Sequence, residues 1–209
     1  ELVLNRTFTF TPFYEGNHAY MYDSCINLTN IPYAFTIRGE GFVIDAAGYS
    51  RIFNITSSNV TIDNVILVGG NASGEYGDGI DMGGAIFWAG PNGIISNSII
   101  EHNNATIGGG IYYNVTAPDC QIINTTFVEN TAVTHGGAID CNASRMGLFN
   151  TTFDGNFAYI GAALCREINA TEGHGKNNTF IGNYAEYAGA ALAWINATRI
   201  SIDDYHFYD

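Results

Sequence analysis

The sequence predicts an all-β chain wound as a right-handed parallel β-helix, a solenoid with about 25–28 residues per rung and an N-terminal cap. Three observations carry that prediction. A corner phrase recurs as Gly83-Gly84-Ala85-Ile86, Gly108-Gly109-Gly110-Ile111, Gly136-Gly137-Ala138-Ile139, Gly161-Ala162-Ala163-Leu164 and Gly189-Ala190-Ala191-Leu192, at spacings of 25, 28, 25 and 28 residues. A second phrase places an apolar residue, Asn three later and Ala two beyond that. It reads Ile100/Asn103/Ala105, Phe127/Asn130/Ala132, Phe153/Asn156/Ala158 and Phe180/Asn183/Ala185, advancing by 27, 26 and 27. A row of asparagines, Asn97, Asn124, Asn150 and Asn177, lies three residues upstream of the apolar row. Three rows in near-constant register specify stacked rungs.

The elements follow in chain order. Residues 1–36 are aromatic-rich and lack the period, so they are expected as the cap that a solenoid needs over its first rung. Residues 37–209 are expected as the β-helix. Its entry rungs hold Val43-Ile44-Asp45 and Ser58-Asn59-Val60-Thr61-Ile62, which alternate as strands do. An insertion at 73–82 precedes the first corner phrase. Beyond it each period contains short runs such as Asn97-Ser98-Ile99-Ile100, separated by Gly, Asn or Thr, with no helix-length pattern. Rungs should stack about 4.8 Å apart. Phe127, Phe153 and Phe180 should then point inward in one column completed by Ile100. Asn103, Asn130, Asn156 and Asn183 should sit at a turn with φ > 0, their amides bonded to the neighbouring rung. Asp204 and Phe207 resume two of the rows at the end of the sequence, so the solenoid is expected to continue past Asp209.

Composition bounds the function. Hydrophobic residues make up 46% of the 209 and charged residues 13%, enough apolar surface to order the chain. A formal net charge of −13 argues against nucleic acid or an anionic membrane as partner. No apolar run is long enough to span a bilayer. Cys25, Cys120, Cys141 and Cys165 allow three disulfide pairings, with buried free thiols as the alternative. Alternation places Cys141 and Cys165 on opposite sides of their wall, against a direct bridge.

The combination of Gly-Gly-Ala-Ile with Phe-x-x-Asn resembles the repeat of chlamydial polymorphic outer membrane proteins. Val43-Ile44-Asp45-Ala46, Ser50-Arg51-Ile52-Phe53-Asn54-Ile55-Thr56 and Asn124-Thr125-Thr126-Phe127 resemble adhesin-like proteins of methanogenic archaea. The likeness covers roughly residues 35–209. It implies a non-enzymatic, monomeric segment of a cell-surface adhesin, attaching to glycans or proteins of host or microbial cells, with no cofactor.

Candidate sites are few. Phe87, Trp88, Tyr112 and Tyr113 follow the corner phrase, and Phe87 and Tyr112 are expected as an outward aromatic strip for a sugar ring or partner protein. Asp140 interrupts that strip on the next rung. Glu75, Asp78 and Asp81 gather carboxylates in the insertion, an oxygen set suited to Ca²⁺ though without EF-hand spacing. Of thirteen Asn-x-Ser/Thr sequons, Asn114, Asn142, Asn169 and Asn196 fall where a loop should begin and are the expected glycan acceptors of an exported chain. The competing function is a polysaccharide lyase or glycoside hydrolase, for which Glu101 and Glu129 are the nearest carboxylate pair.

Overall fold

The computed structural model describes residues 1–11, 13–15, 18–20, 25–73 and 81–209. It is a parallel β-solenoid of about 7 turns, with no helix among the described residues. A middle coil shows the plan. Strand Ile94–Ser96 turns through Asn97 into Ile99–Glu101, bends at His102 into Asn104–Ile107, then passes a glycine corner into Ile111–Tyr113. The next coil restarts at Gln121–Ile123. Four short strands thus occupy this period.

Each strand pairs in parallel with its counterpart one coil away. Ile94 faces Gln121, Ile99 faces Thr126, Asn104 faces Thr131 and Ile111 faces Ile139. The walls follow from these pairings. Strands equivalent to Ile94–Ser96 and Ile99–Glu101 form the first wall, those equivalent to Asn104–Ile107 the second, and those equivalent to Ile111–Tyr113 the third.

The register turns the sequence rows into columns. Ile44, Leu67, Ile100, Phe127, Phe153, Phe180 and Phe207 lie in successive register. The Phe127, Phe153 and Phe180 rings stack at 5.1 and 5.0 Å, tilted by 10° and 6°. In-register rungs bring like rings to near stacking distance without adjustment, so one residue type repeated at one position fills the interior.

The asparagine rows differ from expectation in one respect. Asn103, Asn130, Asn156 and Asn183 do form a rung-to-rung amide ladder, with Nδ2···Oδ1 distances of 2.9, 3.0 and 2.9 Å. They do not carry positive φ. That conformation falls on the residue before each, at His102, Glu129, Gly155 and Gly182. The bend directs the following Asn inward, where its amide closes hydrogen bonds that water cannot reach. The upstream row, Asn97, Asn124, Asn150 and Asn177, holds φ of 52°, 50°, 51° and 56° on the surface, and its amides also bond rung to rung.

The corner phrase has a plain cause. Its first glycine carries φ of 71°, 65°, 63°, 64° and 69° at Gly83, Gly108, Gly136, Gly161 and Gly189, a region costly for side chains.

Within residues 1–36, expected as a cap, three short strands join the walls. Leu2–Val3, Phe8–Thr9 and Ile26–Leu28 pair in parallel with Phe35–Arg38, Val43–Asp45 and Phe53–Ile55. They add a turn to the walls, and the expected boundary at residue 36 falls inside the strand Phe35–Arg38. The antiparallel pair Phe13–Glu15 and His18–Tyr20 departs from the parallel plan.

Cys120, Cys141 and Cys165 are buried free thiols. Burial pushes the Cys120 thiol up to about 12 and raises the Tyr113 phenol well above its usual range. Both groups bind their protons more tightly when folded than when unfolded. Their contribution to stability is therefore complete below the ordinary thiol range and lost as pH rises toward 12. Chemical denaturation between pH 8 and 11 should show a falling unfolding free energy, with a shallower fall in Cys120→Ala. An equal slope in that variant would remove Cys120 as a cause.

Candidate functional site

The outward positions of the third wall form a column of their own. Register links Asn27, Asn54, Phe87, Tyr112, Asp140, Cys165 and Ala193. Strand alternation points these side chains away from the core, yet Asp140 and Cys165 are fully buried and Tyr112 is nearly so. The glycine corner explains this. It folds back over the wall's outer surface so tightly that a Cβ on Gly161 would lie 2.9 Å from the Cβ of Cys165. The second and third walls therefore enclose a nook between them.

This geometry corrects the aromatic-strip expectation. Phe87 and Tyr112 do stack, at 5.7 Å and 21°, but Tyr112 is buried and Phe87 is half-buried with the Arg51 guanidinium 5.5 Å from its ring. Trp88 and Tyr113 point inward and stack on each other at 5.8 Å in the core. A strip open to a sugar ring does not form at these four residues. Local alternation gave the right direction, but could not show that the corner covers that face.

Exposed aromatics lie on the second wall instead. Tyr159 and Tyr187 stack at 5.3 Å and 15°, with 43% and 71% exposure. Phe157 and Tyr184 stack beside them at 5.8 Å and 20°, and Tyr184 is 61% exposed. Val133 is exposed on the preceding coil of the same wall. The signal was present in the outward positions of Phe157-Ala158-Tyr159 and Tyr184-Ala185-Glu186-Tyr187, but the repeat phrase drew attention to its neighbours.

The nook between the walls holds the one grouping of potential metal ligands found among the described residues: His135, Asp140 and Glu167. His135 ends the strand Thr131–His135, and Asp140 sits in Ile139–Cys141 just past the glycine corner. Glu167 follows Leu164–Arg166 one coil on, where its main-chain N–H donates to the Cys141 carbonyl at 2.9 Å. One ligand atom from each lies within 4.8 Å of the others. Both Asp140 oxygens and His135 Nδ1 are buried without a hydrogen-bond partner among the described residues. Burial first, then the charge of Glu167, raises the Asp140 carboxyl well above the usual range. The sequence reading noted Asp140 only as a break in the aromatic row. Its five-residue offset from His135 and 27-residue offset from Glu167 match neither a helix nor a common metal motif.

The other expected sites separate. Glu75 and Asp78 lie outside the described residues. Asp81 is half-buried, and its main-chain carbonyl accepts from Thr106 and Ile107. Glu101 is in register with Val128, not Glu129. Glu129 is exposed and paired with His102 Nδ1 at 3.4 Å. Of the sequon asparagines, Asn169 and Asn196 are exposed, whereas Asn114 and Asn142 are half-buried. Asn142 Oδ1 accepts from Asn169 Nδ2 at 2.9 Å, and Asn114 Oδ1 accepts from Thr116 Oγ1 at 3.0 Å. No helix of the described residues is long and apolar enough to cross a membrane. No protein-family model matches the chain and no curated protein matches it in sequence, so its chemistry is the guide to its role.

Proposed function

We propose that the chain is a non-enzymatic attachment segment of a cell-surface protein of the kind its repeat phrases resemble, the adhesin-like proteins of methanogenic archaea. It works as a stiff monomeric rod that carries a recognition face to glycans or proteins on other cells. The observation that carries this reading is the paired, exposed ring stack of Tyr159/Tyr187 and Phe157/Tyr184. Aromatic side chains lose little conformational entropy on binding and combine apolar area with a polar hydroxyl. Stacking on the neighbouring coil holds these rings in place before a partner arrives, which lowers the cost of ordering them. Solenoid walls also present long surfaces suited to extended partners. A net charge of −13 favours neutral or basic surfaces over nucleic acid. Exposed sequons at Asn169 and Asn196 fit a glycosylated exterior.

Binding to cells and to an array of neutral and acidic glycans tests the proposal. Tyr159→Ala/Tyr187→Ala should weaken binding at least about tenfold, the loss of roughly 1.4 kcal/mol expected from removing one anchor pair. Both rings are exposed, so the fold should survive the change. Tyr112→Ala serves as a contrast, because it should lower stability and leave the affinity of the folded fraction unchanged. Equal binding by the wild type and the double variant would discard the aromatic face as the contact. Turnover of any polysaccharide would discard the non-enzymatic reading.

A further inference from the structure

We propose that His135, Asp140 and Glu167 bind a single first-row transition-metal ion of the zinc class, clamping the second wall to the third across the glycine corner. The proposal is independent of what binds the aromatic face. Its basis is a conflict of groups that the protein alone leaves unresolved. Asp140 is 0% exposed, and neither of its oxygens meets a donor in good hydrogen-bonding geometry; the Cys165 thiol beside it is only a weak donor. A buried carboxyl with no donor stronger than a thiol is a destabilising arrangement for a core to hold. His135 Nδ1 is buried and equally unpartnered. Glu167 adds a second carboxylate to the same nook, and the described residues offer Asp140 no Lys or Arg ion pair.

One divalent cation resolves all of these at once. It takes the lone pair of His135 Nδ1 and an oxygen from each carboxylate, and its charge balances the two acids. Three ligand atoms around Zn²⁺ would stand about 3.3–3.5 Å apart, given metal–ligand bonds of about 2.0–2.2 Å. Separations within 4.8 Å therefore need only a modest contraction. Glu167 supplies it most easily, because it follows the strand Leu164–Arg166 on a loop and is only half-buried. An imidazole with two carboxylates selects zinc-class ions over Ca²⁺, which takes 6–8 oxygen ligands at longer distances. Three protein ligands leave a coordination position open.

The backbone supports the same conclusion. His135 and Asp140 are joined by Gly136-Gly137-Ala138-Ile139, with Gly136 at φ 63°. That sharp corner, and not a loop of adjustable length, fixes the two ligands on opposite sides of the nook. Glu167 is set by parallel pairing, since Cys141 and Arg166 are in register and Glu167 is the next residue. The position of Glu167 thus depends on the main chain being wound, so the complete site exists only in the folded solenoid.

The test uses the intact chain, stripped with a chelator and dialysed. Titration with Zn²⁺, followed calorimetrically and by metal analysis, should give one equivalent per chain. A large excess of Ca²⁺ should not displace it, and the thermal midpoint should rise with Zn²⁺. Co²⁺ should show the visible absorption of a four- or five-coordinate ion. Asp140→Asn and His135→Ala should each weaken binding by at least about 100-fold, as loss of a ligand exceeds the loss of a supporting partner. Glu167→Gln covers the case in which either of those variants fails to fold, because it alters the accessible edge of the nook. His102→Ala, at the exposed His102–Glu129 pair, should bind as the wild type does. Absence of a stoichiometric site in the wild type would overturn the proposal. So would Zn²⁺ affinity that is unchanged in Glu167→Gln and Asp140→Asn, since surface carboxylates would then be the binders.

Discussion

Phe153→Ala is expected to destabilise the solenoid by about 3–5 kcal/mol, the cost of removing a large aromatic side chain from a packed interior. Phe153 is 0% exposed, with Phe127 stacked 5.1 Å on one side and Phe180 5.0 Å on the other. Neither neighbour can move into the space, because each is held by its own coil at the rung repeat. The cavity therefore stays open, and its lining loses contacts that no relaxation restores. Phe153→Leu keeps much of the volume and should cost roughly 1–2 kcal/mol. Phe207 occupies the same column but is 54% exposed, so Phe207→Ala should cost much less than Phe153→Ala. Urea denaturation of the three variants gives the ranking directly. Equal losses for Phe153→Ala and Phe207→Ala would mean that the column is not the source of stability.

A loss of similar size, about 3–5 kcal/mol, is expected for Asn156→Ala, although it removes no hydrophobic surface. Asn156 Oδ1 accepts from both the main-chain N–H and the Nδ2 of Asn130, each at 3.0 Å. Its own Nδ2 donates to the Phe127 carbonyl at 3.1 Å and to Asn183 Oδ1 at 2.9 Å. Alanine leaves a buried N–H, an amide hydrogen and a carbonyl unpaired in a place that water does not reach. Each such orphan costs about 1–3 kcal/mol, more than the bond itself contributed. Asn156→Asp separates hydrogen bonding from shape. As a carboxylate it still accepts from Asn130 but sets negative oxygen against the Phe127 carbonyl and Asn183 Oδ1. It must hold a proton to fold well, so its folded-state pKa lies above its unfolded one. The variant should be more stable near pH 4 than near pH 8. A pH-independent Asn156→Asp would show that the ladder's donors contribute nothing.

Much of this architecture could be read from the chain because a parallel solenoid repeats its environment every 25–28 residues. Phe127, Phe153 and Phe180 meet the same neighbours on successive turns, so the same residue type suits each, and the spacing is written in the sequence. The asparagine ladder was visible for the same reason. Its φ values were not, because the residue that bends and the residue that bonds are adjacent, and composition does not separate them. His102, Glu129, Gly155 and Gly182 share a conformation without sharing a type. The aromatic strip failed for a different reason. Phe87 and Tyr112 point outward as alternation requires, and only the folding back of the corner buries Tyr112. The exposed pair Tyr159/Tyr187 lies just past the second repeat phrase and is not itself part of it.

The amino-acid order by itself set the winding, the rung length and the contents of the core column. These depend on residues one period apart, whose relation is fixed by parallel pairing alone. Which outward side chains stay in water was decided only when the second and third walls met across the corner. His135 at one strand end, Asp140 within the next strand and Glu167 just past a third come together there, at distances that depend on the corner's angle. The glycine phrase marks where the corner falls, but how closely it folds over the wall is set by main-chain packing in the closed coil.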